Sequence, residues 1–90
     1  MISVFRKIIN CTFGFRECSQ LVKIAKNNNC EIKFIRNDKE GSTKSIISLV
    51  SLGLLKNDSI VIQIIDGDQP KAFHQINHLI EKGWNADDNN

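Results

Sequence analysis

The stretch Lys44–Leu54 reads KSIISLVSLGL and predicts a short helix with a defined beginning and end. Ser45 is a favourable N-cap and Gly53 can adopt the left-handed conformation that closes a helix, so we expect a helix over residues 45–52. At about 100° per residue, its aliphatic side chains cover an arc of roughly 220°. Because a small domain buries a narrower stripe, some of these side chains should face water.

Hydrophobic periodicity on either side of this helix predicts the remaining elements. Apolar spacing at i, i+3, i+4 and i+7 indicates one amphipathic helix over residues 16–26 and another that follows the Asp66-Gly67 turn and runs to about Lys82. Asp68 is its expected N-cap, and Pro70 falls in its first turn. Strands are predicted at residues 2–9, 30–35 and 59–65, and a turn at 37–41 leads into a short further strand.

The order strand, helix, strand, short strand, short helix, strand, helix predicts an α+β open-faced β-sandwich. In this fold a four-stranded antiparallel sheet carries three helices on one face. Ninety residues allow one compact domain. We expect that domain over residues 1–84, with a polar, frayed tail over residues 85–90.

The composition excludes several functional classes. The net charge of +2 is interspersed, with no basic run longer than Arg6-Lys7, so a nucleic-acid partner is not indicated. The N-terminus lacks a secretory pattern and no stretch resembles a membrane span, which predicts a cytoplasmic protein. Three cysteines without CxxC spacing argue against a disulfide framework and a zinc site. No cofactor motif is present.

The two histidines, His74 and His78, are spaced i, i+4 on the predicted third helix. They could share a metal ion, but no acidic or cysteine ligand accompanies them in the sequence pattern. The apolar stripe of this helix consists of other residues, so both histidines should face solvent. We interpret them as surface residues and predict no metal site.

Four stretches of the chain together point to one known family. They are QLVKIAK at 20–26, TKSII at 43–47, SLGL at 51–54 and GDQPKA at 67–72. These segments resemble the histidine-containing phosphocarrier protein (HPr) family of the bacterial sugar phosphotransferase system, and the start of the second helix looks most like the Gram-positive branch. The resemblance implies a regulatory or carrier protein, not an enzyme, and it agrees with the fold expected above.

The departure from the family lies at the start of the first helix. Family members carry there a histidine that takes the phosphoryl group from enzyme I, followed by an arginine and a proline; this chain has Gly14, Arg16 and Glu17. Glycine offers no nucleophile, and a carboxylate at Glu17 would compete with phosphate for the partial charges of a helix N-terminus. The resemblance therefore implies a member without the active histidine, similar to the catabolite-repression variant.

Ser45 matches the serine that Gram-positive relatives phosphorylate with a dedicated kinase that also acts as a phosphorylase. The resemblance implies that the phosphorylated form binds a transcriptional repressor of the catabolite-control type. Phosphate at a helix N-terminus beside Lys44 is electrostatically favourable. By resemblance, Leu49 and Leu52 belong to the core, and the expected partner-binding residues are Phe15, Arg16, Lys44, Ile46, Ile47 and Val50.

Two alternatives remain open at the level of sequence. Cys18 lies in the first turn of the first helix, where a lowered thiol pKa could make it a phosphoryl acceptor, although its place in the apolar stripe predicts a buried residue. Alternatively, Ser45 is only an N-cap of a constitutive interaction domain. The sequence is compatible with a monomer or a weak homodimer.

Overall fold

The structure, a computed structural model, describes residues 1–82; Trp84 and the predicted tail over residues 85–90 lie outside the described residues. Within residues 1–82 the chain forms four strands and three helices, in the predicted order. No helix in this range is long and apolar enough to cross a membrane. The elements are β1 (Ile2–Ile8), α1 (Phe15–Asn27), β2 (Glu31–Arg36), β3 (Lys39–Ser42), α2 (Ile46–Val50), β4 (Ser59–Ile65) and α3 (Gln69–Lys82).

The four strands form one antiparallel sheet in the order β1-β4-β2-β3. β1 and β3 are therefore the edges, and β4 and β2 lie in the centre. Phe5, Ile62, Phe34 and Gly41 occupy one row across all four strands. That row belongs to the face that the helices cover, and Phe34 and Ile62 are completely buried there. The predicted α+β open-faced sandwich is confirmed.

The core lies between this face and the helices. Leu21 of α1, Leu49 of α2 and Ile76 of α3 are each completely buried. Asp68 caps α3, because its Oδ1 accepts the N–H of Lys71 at 3.3 Å. The stripe on α1 differs in one respect from the predicted spacing, which from Cys18 selects Leu21, Val22 and Ala25. Ile24 is 8% exposed and belongs to the core, whereas Val22 is half-buried at its margin.

Boundaries of β1, α1 and β2 differ from the sequence prediction by one residue, and those of β3 and α2 differ by more. Residues 39–41 were predicted as turn but belong to β3, because the hairpin pairs Arg36 with Lys39 and leaves Asn37 and Asp38 to make the turn. Asn37 accommodates this tight reversal with a φ of 57°. The second helix, expected over residues 45–52, is shorter, and its regular part is Ile46–Val50 with Ser45 as N-cap.

Gly41 and Gly53 fix where α2 can lie. A Cβ on Gly41 would approach Ser48 O to 2.7 Å and Leu49 Cα to 2.8 Å, so the backbone of α2 rests directly on β3. Gly53 adopts a φ of +59° just after the helix, and a Cβ there would meet no atom within 4 Å. The first glycine is required by close packing and the second only by its backbone conformation.

Gly41→Ala should therefore destabilise the protein more than Gly53→Ala. The first substitution forces backbone apart and should lower the free energy of unfolding by about 2–3 kcal/mol. The second introduces only the left-handed penalty of about 1–2 kcal/mol. Urea unfolding of both variants measures the difference, and equal losses would show that α2 does not rest on β3 as closely as described.

Candidate protein-interaction surface

The N-terminus of α1 is occupied by a carboxylate of the same chain. Gly14 is the N-cap, and its N–H donates to Glu17 Oε1 at 2.8 Å. An acidic side chain in the first turn also interacts favourably with the positive end of the helix dipole. Gly14 has a φ of −101° and a ψ of −164°, a conformation open to any residue. Backbone strain therefore does not require glycine at this position.

The segment before Gly14 is fixed to the sheet and to the segment after α2. Phe13 is 3% exposed and packs on Phe34, with ring centroids 5.3 Å apart. The Phe13 N–H donates to Leu54 O at 3.0 Å. Because these contacts hold residue 13 against residue 54, the start of α1 and the exit of α2 form one continuous junction. Phe13 therefore belongs to the core.

Ser45 begins α2 as an exposed N-cap. Its Oγ accepts the Ser48 N–H at 3.4 Å, a long hydrogen bond, and the Ser48 hydroxyl donates to Ser45 O at 2.6 Å. The Ser45 N–H donates to Ser42 O at 2.9 Å. The backbone of Ser45 is therefore held by hydrogen bonds on both sides, while its hydroxyl lies at the surface.

Lys44 is directed toward Glu31. Its Nζ lies 3.6 Å from Glu31 Oε1, and the Lys44 side chain is 77% exposed. The other carboxylate oxygen of Glu31 accepts a hydrogen bond from the Ser42 hydroxyl. The sequence predicted the positive charge beside Ser45 but not the acidic residue with which it pairs, since Glu31 comes from β2.

Large apolar side chains surround this junction. Ile47 is 75% exposed and Val50 37% exposed, whereas Leu49 and Leu52 are buried, as expected. Ile46 is half-buried and packs against the core, so it contributes less exposed surface. Phe15, at 64%, and Leu55, at 58%, extend outward from the two chain segments that the Phe13–Leu54 hydrogen bond joins. We call Phe15, Ile47, Val50 and Leu55 the docking patch.

Arg36 binds the segment that follows α2, a role that sequence reasoning missed. Its guanidinium donates to Leu52 O at 2.7 Å and to Gly53 O at 3.4 Å. It also lies 3.0 Å from Asp58 Oδ2, which accepts the Leu55 N–H at 2.8 Å. That N–H and the Arg36 guanidinium lower the pKa of the Asp58 carboxyl below its ordinary value, despite partial desolvation.

The amino-acid sequence matches the model of one protein family. The family model PTS-HPr, described as the PTS HPr component phosphorylation site, matches residues 13–82. The chain belongs to the HPr family. The matched range begins at Phe13 and therefore includes the α1 junction, α2 and the whole of α3.

Phosphocarrier proteins HPr from several bacteria are similar in sequence. That of Mycoplasma genitalium is 35% identical over 81 residues, covering 87% of this chain and 92% of the relative. That of Vibrio cholerae is 34% identical over 65 residues, covering 72% and 73%. The resemblance that the sequence motifs indicated is thereby confirmed at the level of the family.

Solved HPr structures share the fold. The HPr from Bacillus anthracis superposes with a TM-score of 0.76 at 18% identity, over 88% of this chain and 96% of that chain. A mycoplasma histidine-containing phosphocarrier protein superposes with a TM-score of 0.73 at 29% identity, over 89% and 94%. The sheet with its layer of three helices is thus the HPr architecture.

The cysteines of this HPr-family member are free thiols. Cys18 is completely buried, and burial, with the nearby Glu17 charge, raises the pKa of its thiol to about 11. Burial also raises the pKa of Cys11 and Cys30. A protonated, inaccessible thiol is a poor nucleophile, so the structure gives Cys18 the environment of a core residue.

The two histidines lie far along the chain from the α1 junction, on α3. Both are exposed, and together with Lys23 of α1 they border a cleft of about 350 Å³ between α1 and α3. Within residues 1–82 no group of three His, Cys, Asp or Glu side chains could hold a metal ion. Neither histidine stands near Gly14 in sequence or on its helix.

Arg36→Ala should destabilise the segment that follows α2. The substitution removes the hydrogen bonds that the guanidinium donates to the carbonyls of Leu52 and Gly53. It should lower the free energy of unfolding by about 1–3 kcal/mol. Lys33→Ala is the control, since its pair with Glu40 at 3.9 Å is long and partly exposed and should cost no more than about 1 kcal/mol. Urea unfolding at neutral pH measures both changes.

Acid should narrow the difference in the free energy of unfolding between the wild type and Arg36→Ala. The pKa of Asp58 is lowered in the folded state. The stabilisation of the fold by its carboxylate is therefore present above the ordinary pKa of 3.8 and is lost as the pH falls through the native pKa. A stability gap that stays constant between neutral pH and about pH 3 would contradict the coupling of Arg36 to Asp58.

Proposed function

We propose that this chain is a regulatory binding module of the phosphotransferase system and that phosphorylation of Ser45 switches it. The observation that carries the proposal is the position of Ser45: an exposed hydroxyl at the start of the helix that presents Ile47 and Val50 to solvent. A phosphate added there changes the charge at the margin of the docking patch by about −1.5 to −2.

The start of α1 supports a role other than histidine phosphotransfer. The family resemblance puts Gly14 where the phosphoryl-accepting histidine stands in carriers, and glycine cannot form a phosphoramidate. The Glu17 carboxylate accepts the Gly14 N–H at 2.8 Å, a backbone donor that an anion at this helix end would use. A phosphate would have to displace this carboxylate and remain close to its charge.

The surroundings of Ser45 are suited to a phosphate. The Ser48 N–H already points toward the Ser45 hydroxyl, and Lys44 is the neighbouring cation. Because α2 has only five residues, its dipole is small, and these two local donors carry most of the stabilisation. Phosphate would compete with Glu31 for Lys44, so phosphorylation should also weaken the ion pair that joins the segment before α2 to β2.

The proposed partners are proteins. A serine kinase that also acts as a phosphorylase would modify Ser45, and a transcriptional repressor of the catabolite-control type would bind the modified form. The docking patch supplies apolar contact area, and Arg16, exposed in the first turn of α1, supplies positive charge. Lys44 and the half-buried Ile46 lie at the side of the patch that carries Ser45. The chain itself is not proposed to bind nucleic acid.

A carrier mechanism through Cys18 has less support. The thiol is completely buried and its pKa is raised to about 11, so enzyme I would need to unfold part of α1 to reach it. Labelling with phosphoenolpyruvate and enzyme I distinguishes the two mechanisms. We expect no stable label, whereas a label abolished by alkylation of Cys18 would favour the carrier.

Incubation with the cognate serine kinase and ATP should phosphorylate Ser45. Peptide mass spectrometry should find a single phosphate on Ser45, and the Ser45→Ala variant should remain unmodified. Ser48→Ala is the matched control, because Ser48 lies one turn later with its hydroxyl engaged by Ser45 O. Absence of phosphate from Ser45 in the wild type would refute the switch.

Binding measurements separate a switch from a constitutive domain. The phosphorylated chain should bind the repressor at least tenfold more tightly than the unmodified chain, measured by calorimetry. If the unmodified and the phosphorylated chain bind the repressor equally well, the domain is constitutive and Ser45 is only an N-cap. In that case its loss should cost about 0.5–1 kcal/mol of stability and nothing else.

Restoring the family histidine should not by itself restore carrier activity. Gly14→His fits the backbone, since a Cβ there would lie 3.4 Å from Glu17 Oε1, an ordinary contact. The Glu17 charge remains, so we expect Gly14→His to accept little phosphate from enzyme I and Gly14→His with Glu17→Pro to accept more. Equal labelling of both variants would show that Glu17 does not oppose phosphate.

A further inference from the structure

The face of the sheet opposite the helices carries three large aliphatic side chains on β1. Ile2 is 58% exposed, Val4 59% and Ile8 61%. They alternate along the strand with Phe5, which contacts Phe73 of α3 on the helical side, so they point away from the core. Large apolar side chains aligned on one exposed face are characteristic of an interaction surface.

One row of this open face extends across the whole sheet. The strand registers pair Arg6 with Val61, Val61 with Ile35, and Ile35 with Glu40. Val61 and Ile35 are half-buried. The row therefore has a cation on one edge strand, an anion on the other edge strand and two aliphatic residues between them.

The charges in this row are self-complementary. Consider two copies packed with their open faces together and related by a two-fold axis that lies between them, parallel to the strands. This axis reverses the strand order but keeps each row at the same height, so Arg6 lies over Glu40 of the second copy and Val61 lies over its Ile35. Each contact then occurs twice. Glu40 also lies 3.9 Å from Lys33, a long contact between partly exposed groups that leaves its carboxylate accessible.

We propose that a second copy of this chain covers the open face, sheet against sheet. Pairing of two β1 edges through backbone hydrogen bonds would leave Ile2, Val4 and Ile8 in solvent, whereas face packing buries them. The proposal goes beyond the proposed function, since it uses the face that the docking patch does not share.

The small size of the face is typical of a weak, reversible association. Four strands about 4.8 Å apart and about seven residues long at about 3.3 Å each present roughly 400 Å² per copy. The total of about 800 Å² lies below the range of stable complexes and within that of weak ones. The dimer should therefore form in the high-micromolar range or above, as a reversible equilibrium.

Sedimentation velocity of the full chain from about 10 μM to about 1 mM tests the proposal. The weight-average mass should rise toward the dimer with concentration, and Val4→Lys should weaken association at least tenfold. Ile47→Lys makes the same change at an exposed residue of the docking patch and should leave self-association unchanged. Val4 makes few core contacts, so circular dichroism should show both variants folded.

A charge exchange tests the arrangement itself. Arg6→Glu and Glu40→Arg should each weaken the dimer, and the double variant should restore it, because each dimer then regains both opposite-charge contacts. A wild type that stays monomeric throughout the series would overturn the proposal, as would a dimer weakened by Ile47→Lys and not by Val4→Lys. A double variant no better than the single ones would overturn the two-fold geometry. None of these results bears on Ser45.

Discussion

The contact between Phe13 and Phe34 determines where the surface features of this protein lie. Phe34 is buried in the central strand β2, and Phe13 packs on it from the loop before α1. The Phe13 N–H also bonds to Leu54 O, so the entry to α1 is attached to the exit from α2. Removing this aromatic contact would separate the two segments that present Phe15 and Leu55.

Two apolar surfaces of the described chain remain exposed, one on each side of the sheet. One face of the sheet is buried by α1, α2 and α3, and the other has no covering element within residues 1–82. On the helical side, α2 is too short and too broadly apolar to bury all its side chains. Exposure of Ile47 and exposure of Val4 thus have different causes, and they suit different partners.

Much of the fold was predictable because it depends on local signals. β4 was predicted with its observed limits, Ser59–Ile65, since its inward positions are all isoleucine. Ser45 marked the start of α2 correctly because capping is a property of the residue at a helix end, whereas the regular helix ends at Val50, before Gly53. The charged pair Arg6-Lys7 interrupts the apolar residues of β1, and the structure points Arg6 outward while Lys7 Nζ lies 3.2 Å from Glu81 Oε2.

The candidate site was predicted less completely, for a physical reason. Arg36 and Glu31 of strand β2 contact the segments that flank α2, and these contacts join positions far apart in sequence. From sequence alone, a charged residue on a strand is assigned to the exposed surface, and only the structure shows which groups its side chain contacts. Leu55 was missed because its exposure follows from the bend at residues 52–54, which Arg36 holds.

The most direct test of the central claim is a map of the surface that a partner covers. Amide chemical shifts of the ¹⁵N-labelled chain should be followed while the serine kinase is added without ATP. The largest changes should lie at Phe15, Ile47, Val50 and Leu55 and around Ser45, with the open sheet face unaffected. Changes confined to β1 or to the cleft between α1 and α3 would contradict the account.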